Sequence, residues 1–396
     1  MSEVAAQVII DKRMYARLFL NESAVNRCGY SAVPELVHSG LSRSAYSLES
    51  ALPASMEDVA KKANVSISTV SRVLNRQNIV NAATRKRVES AIEELGYKPN
   101  VFARGLMLRK SHILALVLPD LHGEFYSEII RGANSRARQM GYQLMVSSIT
   151  QSEEDSSALS AVLEHGLADG LAFMVSEVDD QTRKTLSGIK IPYVVLDGTV
   201  EGLKHDCVSI DQVQGASAMV QHLVAKCHAK RIIFLGGLVT NIDTIDRLSA
   251  YKTVMEESGL EVGEKDIFHL DYRYETAYEL GLKHVREWAR TEASVFAAND
   301  EMAAGIIDAA IENGVSVPGG LRVVGFDDTR IAQMTRPRLT TVHVPMSSMG
   351  ASAIELLCQR LIEGDRPHTK LTLQSELVVR DSCGASGSSL QEKPIG

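Results

Sequence analysis

The residues best suited to grip a small molecule stand at the ends of short apolar runs. Asp120 follows ILALVLP, Asp197 ends YVVLD, Asn299 and Asp300 end VFAAND, and Asp327 with Asp328 ends VVGFDD. Carboxylates and amides place acceptors and donors at fixed points, which is what orienting a polyhydroxyl ligand requires. Asp and Asn also form turns and cap helices, and Asp300 and Asp328 read that way. Phe125 and Tyr126 follow the first run, where an aromatic face can stack on a sugar ring or a base edge. For Phe125, plain burial in the core is an equally good reading. The chain contains no P-loop, no GxSxG and no HExxH, and its aspartates form no acid–base pair in sequence, so no catalytic set is legible. Five cysteines (Cys28, Cys207, Cys227, Cys358 and Cys383) are scattered without CxxC spacing. That pattern reads as reduced thiols rather than a disulfide framework or zinc site, and neither metal nor cofactor is expected.

Such residues need a scaffold that gathers strand ends. From residue 113 onward, short apolar runs alternate with amphipathic stretches. Residues 113–119 read as a buried strand, 124–140 as a helix, 142–147 as a strand, 156–165 as a helix and 170–175 as a strand. The beat repeats at 193–197, 231–237, 295–300 and 322–326. Strands separated by helices of this length imply parallel sheets with crossovers on both faces. About 270 residues is large for one such sheet, so two α/β lobes facing across a cleft are expected. Ligands in these folds bind outside the carboxyl ends of the strands, where the aspartates stand.

Charge is distributed unevenly. The whole chain carries −7, yet residues 56–112 hold 11 Lys and Arg against 5 Asp and Glu, a net of +6. Residues 1–55 carry five charges of each sign, which leaves −13 on residues 113–396. A basic head on an acidic body concentrates attraction to phosphates at one end, and it needs an element able to enter a groove. Residues 56–74, MEDVAKKANVSISTVSRVL, supply one. Val59, Ala60 and Ala63 recur at helical spacing, Asn64 tolerates the left-handed backbone that ends a helix, and Ser66 is suited to cap a second. Val70, Val73 and Leu74 make that second helix's buried stripe, leaving Ile67, Ser68, Ser71 and Arg72 facing outward. A third helix over 84–95 buries Val88, Ala91, Ile92 and Leu95 before Gly96 stops it. Two short helices joined by a tight turn describe a helix-turn-helix, whose second helix lies in the major groove of double-stranded DNA. Spacing alone also admits a generic three-helix piece of a larger fold.

The residue identities narrow this. DVAKKANVSISTVSRVLN followed by TRKRVESAIEELGYKPN resembles the DNA-binding head of the LacI/GalR repressor family over residues 58–100. The phrases VSIDQVQGA, AANDEMAAGI, VVGFDDT and RPRLTTVHVP resemble that family's two-lobed, type I periplasmic-binding-protein-like core, from residue 113 to about 380. The resemblance implies roles. Ile67 and Ser68 fall where operator bases are read, Arg72 where the same helix contacts DNA further along, and Ser66, Thr69 and Asn75 where phosphates are touched. Hydroxyls are natural phosphate partners and Arg is the commonest reader of guanine, whereas Ile67 can offer only apolar contact, as to a thymine methyl.

Residues 99–107 match a hinge helix that folds on specific DNA and pairs with its dimer mate. Leu106 matches a leucine that wedges into the minor groove, Ala103 a small residue near it, and Arg104 a backbone contact. Such wedges unstack a base step and kink the duplex. Without the resemblance, Leu106 reads as a linker leucine tucked against the core. Gly105 departs from the small or polar residue usual there and weakens an isolated helix by about 1 kcal/mol, making the hinge more dependent on DNA for its order. In the body, the resemblance assigns effector contacts to Arg247, Asn299 and Asp327, and a frequent one to Asp197. Arg247 lies in DRLSAY, where Ala250 replaces the family's usual glycine, and Cys227-His228 replaces a common Gly-His.

The expected architecture is an all-α helix-turn-helix head over residues 56–99, a hinge and linker over 100–112, an α/β core of two lobes over 113–380 and a flexible tail over 381–396. Residues 1–55 show no period and are Ser-rich in SGLSRSAYSLES, which reads as a disordered extension, with Met56 the expected natural start. The tail has no leucine heptad, against a coiled-coil tetramer, while two heads on two half-sites require a homodimer. No apolar run reaches the roughly 18 residues of a membrane span, and charges break the first apolar patches before a signal-peptide core forms. A soluble cytoplasmic protein without membrane partners is expected. Three functions compete: a regulator whose dimer binds a pseudo-palindromic operator under control of a sugar-like effector, a transport solute-binding protein, and a sugar-modifying enzyme. The basic head and missing secretion signal disfavour the second, and the missing catalytic set disfavours the third. In the first, ligand closes or rotates the lobes, shifts the two hinges, and so gains or loses the minor-groove wedge.

Overall fold

Local signals start and stop the helices of the N-terminal unit. The computed structural model describes residues 54–74, 79–97, 110–148, 167–177, 180–198, 200 and 202–385, and the chain separates into two compact units, 1–98 and 99–396. Helix α1 (Met56–Ala63) opens on a capping box, in which Ser55 Oγ accepts from the Asp58 N–H and the Asp58 carboxylate accepts from the Ser55 N–H. Ala54 packs against the helices as well, so the last two residues of the expected extension belong to the head. Asn64, left-handed at φ 50°, ends α1. Ser66 Oγ accepts from the Thr69 N–H at 3.2 Å and opens α2 (Ile67–Leu74). Helix α3 (Ala82–Leu95) starts ahead of its apolar stripe because Asn81 caps it through the Thr84 N–H, and Gly96 ends it at φ 58°. Val59, Val70 and Val88 are fully buried where the three helices meet. Of the residues expected to face outward on α2, Ile67, Ser68 and Arg72 are exposed and Ser71 is half-buried. Asn75, the hinge residues Ala103, Arg104 and Leu106, and the helix expected over 156–165 lie outside the described residues.

In chain order, the strands of the second unit are β1 (Ile113–Leu118), β2 (Gln143–Ser148), β3 (Gly170–Met174), β4 (Tyr193–Leu196), β5 (Asp206–Ile210), β6 (Ile232–Gly236), β7 (Ile267–His269), β8 (Ser294–Ala297), β9 (Arg322–Val324), β10 (Thr341–His343), β11 (Lys370–Leu373) and β12 (Glu376–Val378). The helices are α4 (Gly123–Gln139), α5 (Asp180–Gly188), α6 (Gln212–Ala225), α7 (Ile242–Glu257), α8 (Tyr274–Arg290), α9 (Asp300–Glu312), α10 (Arg330–Met334) and α11 (Met346–Glu363). One parallel sheet has the order β11-β5-β4-β3-β1-β2 and the other β7-β6-β8-β9, while β10 and β12 pair antiparallel. β3 and β6 are buried at every residue, as parallel strands covered on both faces must be. The chain passes between the two lobes three times: from β5 to α6, from β10 to α11, and from β11 to β12.

Two features hold the first lobe. Asp206 opens β5 fully buried, an unusual place for a carboxylate. It accepts from Arg360 Nε and Nη2 at 3.0 Å each, from Arg366 Nη2 at 3.1 Å and from the Thr369 N–H at 2.7 Å, so the buried charge is both paired and hydrogen-bonded. Helices α4 and α11 touch backbone to backbone. A Cβ on Gly132 would lie 1.8 Å from the Ser347 carbonyl oxygen, and one on Gly350 would lie 2.1 Å from that of Ile129. The C-terminal segment is likewise packed, contrary to a tail beginning at 381. Ser382 and Cys383 are fully buried, with Ser382 Oγ donating to the Val323 carbonyl and accepting from the Thr340 N–H. Because no methyl fits between α4 and α11, Gly350→Ala is expected to cost about 3 kcal/mol of unfolding free energy, read as a lowered urea midpoint with unchanged slope.

Candidate functional site

On the head, α2 opens with a row of hydroxyls. Ser66 Oγ lies 2.8 Å from both Ser68 Oγ and Thr69 Oγ1, and Ile67 stands 49% exposed beside them. An isoleucine so exposed at the start of a short helix adds nothing to the head's own core, whereas it and its neighbours suit apolar and phosphate contacts in a groove.

In the body, a cleft is lined from both lobes. Asp120, His122, Phe125 and Tyr126 come from the end of β1 and the start of α4. Asn241, Asp243 and Arg247 come from the start of α7, and Asp271, Tyr272 and Arg273 from the turn after β7. Asn299, Asp300 and Glu301 come from the start of α9, and Asp327 and Thr329 from the turn after β9. Six of the seven residues expected on the cleft wall therefore lie there. Asp197 does not. With its backbone left-handed at φ 54°, it is buried behind the wall, where Gln212 Nε2 donates to its Oδ1 at 3.5 Å.

Arg247 is the centre of the floor. It is 2% exposed. Its Nε donates to Gln212 Oε1 at 3.0 Å, its Nη1 to the Ala298 carbonyl, and its guanidinium stacks 3.9 Å from the Phe326 ring centre. Asp243 and Asp327 stand at 3.7 and 3.8 Å from its Nη2. Burial pushes the Asp327 and Asp197 carboxyls well above the usual carboxylate range, and Arg247 only partly offsets this. Asp243 is raised too, again first by burial, with Arg247 pulling the other way. Asp327 Oδ1 is buried without a hydrogen-bond partner, on a backbone at φ 106°. A buried orphan acceptor of this kind costs stability until a donor reaches it.

The remaining wall residues have mixed duties. Phe125 and Tyr126 meet edge to face at 5.3 Å and pack on the core while lining the cleft. Asn299 caps α9, its Oδ1 accepting from the Met302 N–H, and its Nδ2 donates to the Tyr272 carbonyl. Asp300 is the first residue of that helix rather than its cap. Its two oxygens take the Thr329 N–H and hydroxyl on one side and the Thr341 hydroxyl on the other. Asp328 sits in a turn and pairs with Arg380 at 2.6 Å. Tyr272, which no sequence signal marked, lies so close over Gly237 that a Cβ there would be 2.0 Å from its ring. Asp120 Oδ2 accepts from Arg273 Nη2 across the cleft mouth at 3.1 Å.

Comparison with known proteins settles the lineage. Residues 55–100 match the model of bacterial regulatory proteins of the lacI family, and residues 220–383 match that of a periplasmic binding protein-like domain. The chain is 37% identical to catabolite control protein A of Priestia megaterium over 302 residues, which are 76% of this chain and 90% of that protein. The chain belongs to the LacI family. Among solved structures, this LacI-family chain is similar to a Lac repressor dimer bound to operator and the anti-inducer ONPF, with TM-score 0.74, 27% identity and coverage of 84% and 99%. It is also similar to the transcriptional regulator CelR–cellobiose complex, with TM-score 0.62, 28% identity and coverage of 83% and 99%. It is a DNA-binding transcriptional regulator and not an enzyme.

For this LacI-family body, Asp300 links the site to pH. Burial pushes its carboxyl up to about 7 against the pull of its Thr341 and Thr329 donors. The folded chain therefore keeps a proton that the unfolded chain releases near pH 4, so its contribution is full below that pH and lost as pH rises through 7. Relative to Asp300→Asn, the wild type should lose about 1.4 kcal/mol of stability per pH unit across this window. Denaturant titrations at stepped pH check it, and parallel profiles for the two proteins would contradict it.

Proposed function

We propose that this LacI-family regulator is a repressor that binds a pseudo-palindromic operator as a homodimer and is controlled by a neutral sugar-like effector in the interlobe cleft. The observation that carries the effector reading is Asp327 Oδ1, a buried acceptor without a partner at the wall of a cleft whose floor is Arg247. A ligand hydroxyl supplies the missing donor. The cleft also excludes acidic ligands. Even with Asp243, Asp300 and Asp327 held toward their neutral forms by burial, Asp120, Asp271 and Glu301 line it against only two guanidinium groups, Arg247 and Arg273. Arg247 is already shared among protein acceptors, so a phosphate or sugar acid would meet net negative potential. Tyr126 and Phe125 give an apolar face for a sugar ring.

The operator reading rests on the exposed Ser66, Ile67, Ser68 and Arg72 of α2 with Thr69 beside them, and by resemblance on Asn75, Ala103, Arg104 and Leu106. The Lac repressor neighbour, solved as a dimer on operator, supports a twofold arrangement, and the CelR neighbour, solved with cellobiose, supports a sugar in the cleft. The protein works in the cytoplasm, on the nucleoid when bound to DNA. No helix among the described residues is long and apolar enough to cross a membrane.

Thermal-shift screening tests the effector class. Neutral sugars should raise Tm in a concentration-dependent way while sugar phosphates and sugar acids do not, because a ligand that binds only the folded form stabilises it by mass action. Stabilisation by phosphorylated sugars alone would refute the charge argument. Asp327→Asn should abolish the shift and the effector's influence on operator binding while leaving ligand-free operator affinity unchanged. A separate test addresses the wedge. Leu106→Ala should weaken operator binding at least tenfold with little effect on non-specific DNA, as measured by competition titration, and equal losses on both DNAs would remove the wedge role.

A further inference from the structure

Three soft donors that lie far apart in sequence meet inside the second lobe. His222 is on the last turn of α6, Cys227 lies just past that helix, and Cys383 follows β12 near the chain's end. The helix end folds back tightly, with the N–H groups of Lys226 and Cys227 both donating to the His222 carbonyl. This brings Cys227 Sγ to 3.6 Å from His222 Nε2. The packed C-terminal segment sets Cys383 Sγ at 3.4 Å from the same nitrogen, and all three donor atoms lie within 4.8 Å of one another.

These separations are those of a coordination sphere. Zinc–sulfur and zinc–nitrogen bonds of about 2.3 and 2.05 Å at tetrahedral angles place sulfur and nitrogen about 3.6 Å apart. We propose that His222, Cys227 and Cys383 form a Cys2His site for Zn²⁺, with a small ligand such as water completing the tetrahedron. Charge selects the ion. Two thiolates, a neutral imidazole and a divalent cation sum to zero, the balance that a fully buried site requires, whereas Cu⁺ would leave one negative charge uncompensated. Hard divalent ions prefer oxygen donors. In the metal-free chain the Cys383 thiol donates to the Arg380 carbonyl at 3.7 Å, and it is this proton that the metal would displace. Binding would release two thiol protons and tie the segment after the third interlobe crossing to the helix after the first.

The test uses the full chain under reducing conditions. Loading with Zn²⁺ followed by desalting should leave stoichiometric zinc by elemental mass spectrometry and a higher Tm than chelator-treated protein. Co²⁺ in place of zinc should give near-ultraviolet sulfur-to-metal charge-transfer bands. Cys383→Ser and Cys227→Ser should each lose both signals, while Cys358→Ser and Cys28→Ser keep them. Substoichiometric zinc in the wild type, a cobalt spectrum unchanged in Cys383→Ser, or a Cys227–Cys383 disulfide found by mass spectrometry of the unreduced protein would each overturn the proposal. The wild-type zinc and cobalt measurements decide the question even if a variant fails to fold.

Discussion

With 2% of its surface exposed, Arg247 must find partners inside the protein for one positive charge and five N–H groups. Gln212, the Ala298 carbonyl and the Phe326 ring take part of that demand, and Asp243 and Asp327 balance the charge from just under 4 Å. Those distances leave the salt bridges loose. They neutralise the guanidinium without consuming Asp327 Oδ1, which is why an unsatisfied acceptor can persist at the cleft wall. A direct Arg247–Asp327 hydrogen bond would make the floor more stable and less able to recognise a ligand.

The same residue ties the lobes together. Gln212, which accepts from Arg247, also donates to Asp197 at the end of β4 in the first lobe, and the charge of Asp243 on α7 helps to raise the Asp197 carboxyl. A single polar network therefore runs from a strand end of one lobe, through the first crossing, to the floor of the other. Ionising all three carboxyls would leave net negative charge in a dry interior, and their raised proton affinity is how the network avoids it. Asp197 thus acts behind the wall, joined to its floor through Gln212.

What the sequence made legible follows from the reach of its signals. The head is encoded locally: Ser66, Asn64 and Gly96 act on backbone within a few residues, so its turns and helices could be read directly. The long apolar runs of β1, β3 and β6 are equally plain. β7, β10 and β12 are three residues each, too short for any period to register, and β5 opens with a buried Asp206 that only Arg360 and Arg366, more than 150 positions away, make tolerable. The cleft divides along the same line. Asp120, Asn299 and Asp327 were visible as strand ends, whereas Tyr272 and Arg273 follow the unseen β7 and carried no signal. Asp243 did carry one, standing four positions before Arg247 on the same helix face. Cys227 and Cys383 share no signal in sequence, because spacing rules see only near neighbours.

Effector control requires that the ligand prefer one arrangement of the lobes, since equal affinity for both shifts nothing. The contacts across the cleft mouth meet that requirement by being weak. Asp120 and Arg273 are 46% and 45% exposed, and an ion pair so solvated contributes about 0–1 kcal/mol. The Glu124 carboxylate accepting from the Arg330 N–H adds one more hydrogen bond at the same mouth, itself exposed to solvent. Contacts of this size hold the lobes near each other without fixing them. A ligand that satisfies Asp327 Oδ1 and lays a ring on Tyr126 touches both lobes at once, so its binding energy is available only in the arrangement where the two walls meet. A stronger latch would have closed the cleft without a ligand, and the head would then have had nothing to sense.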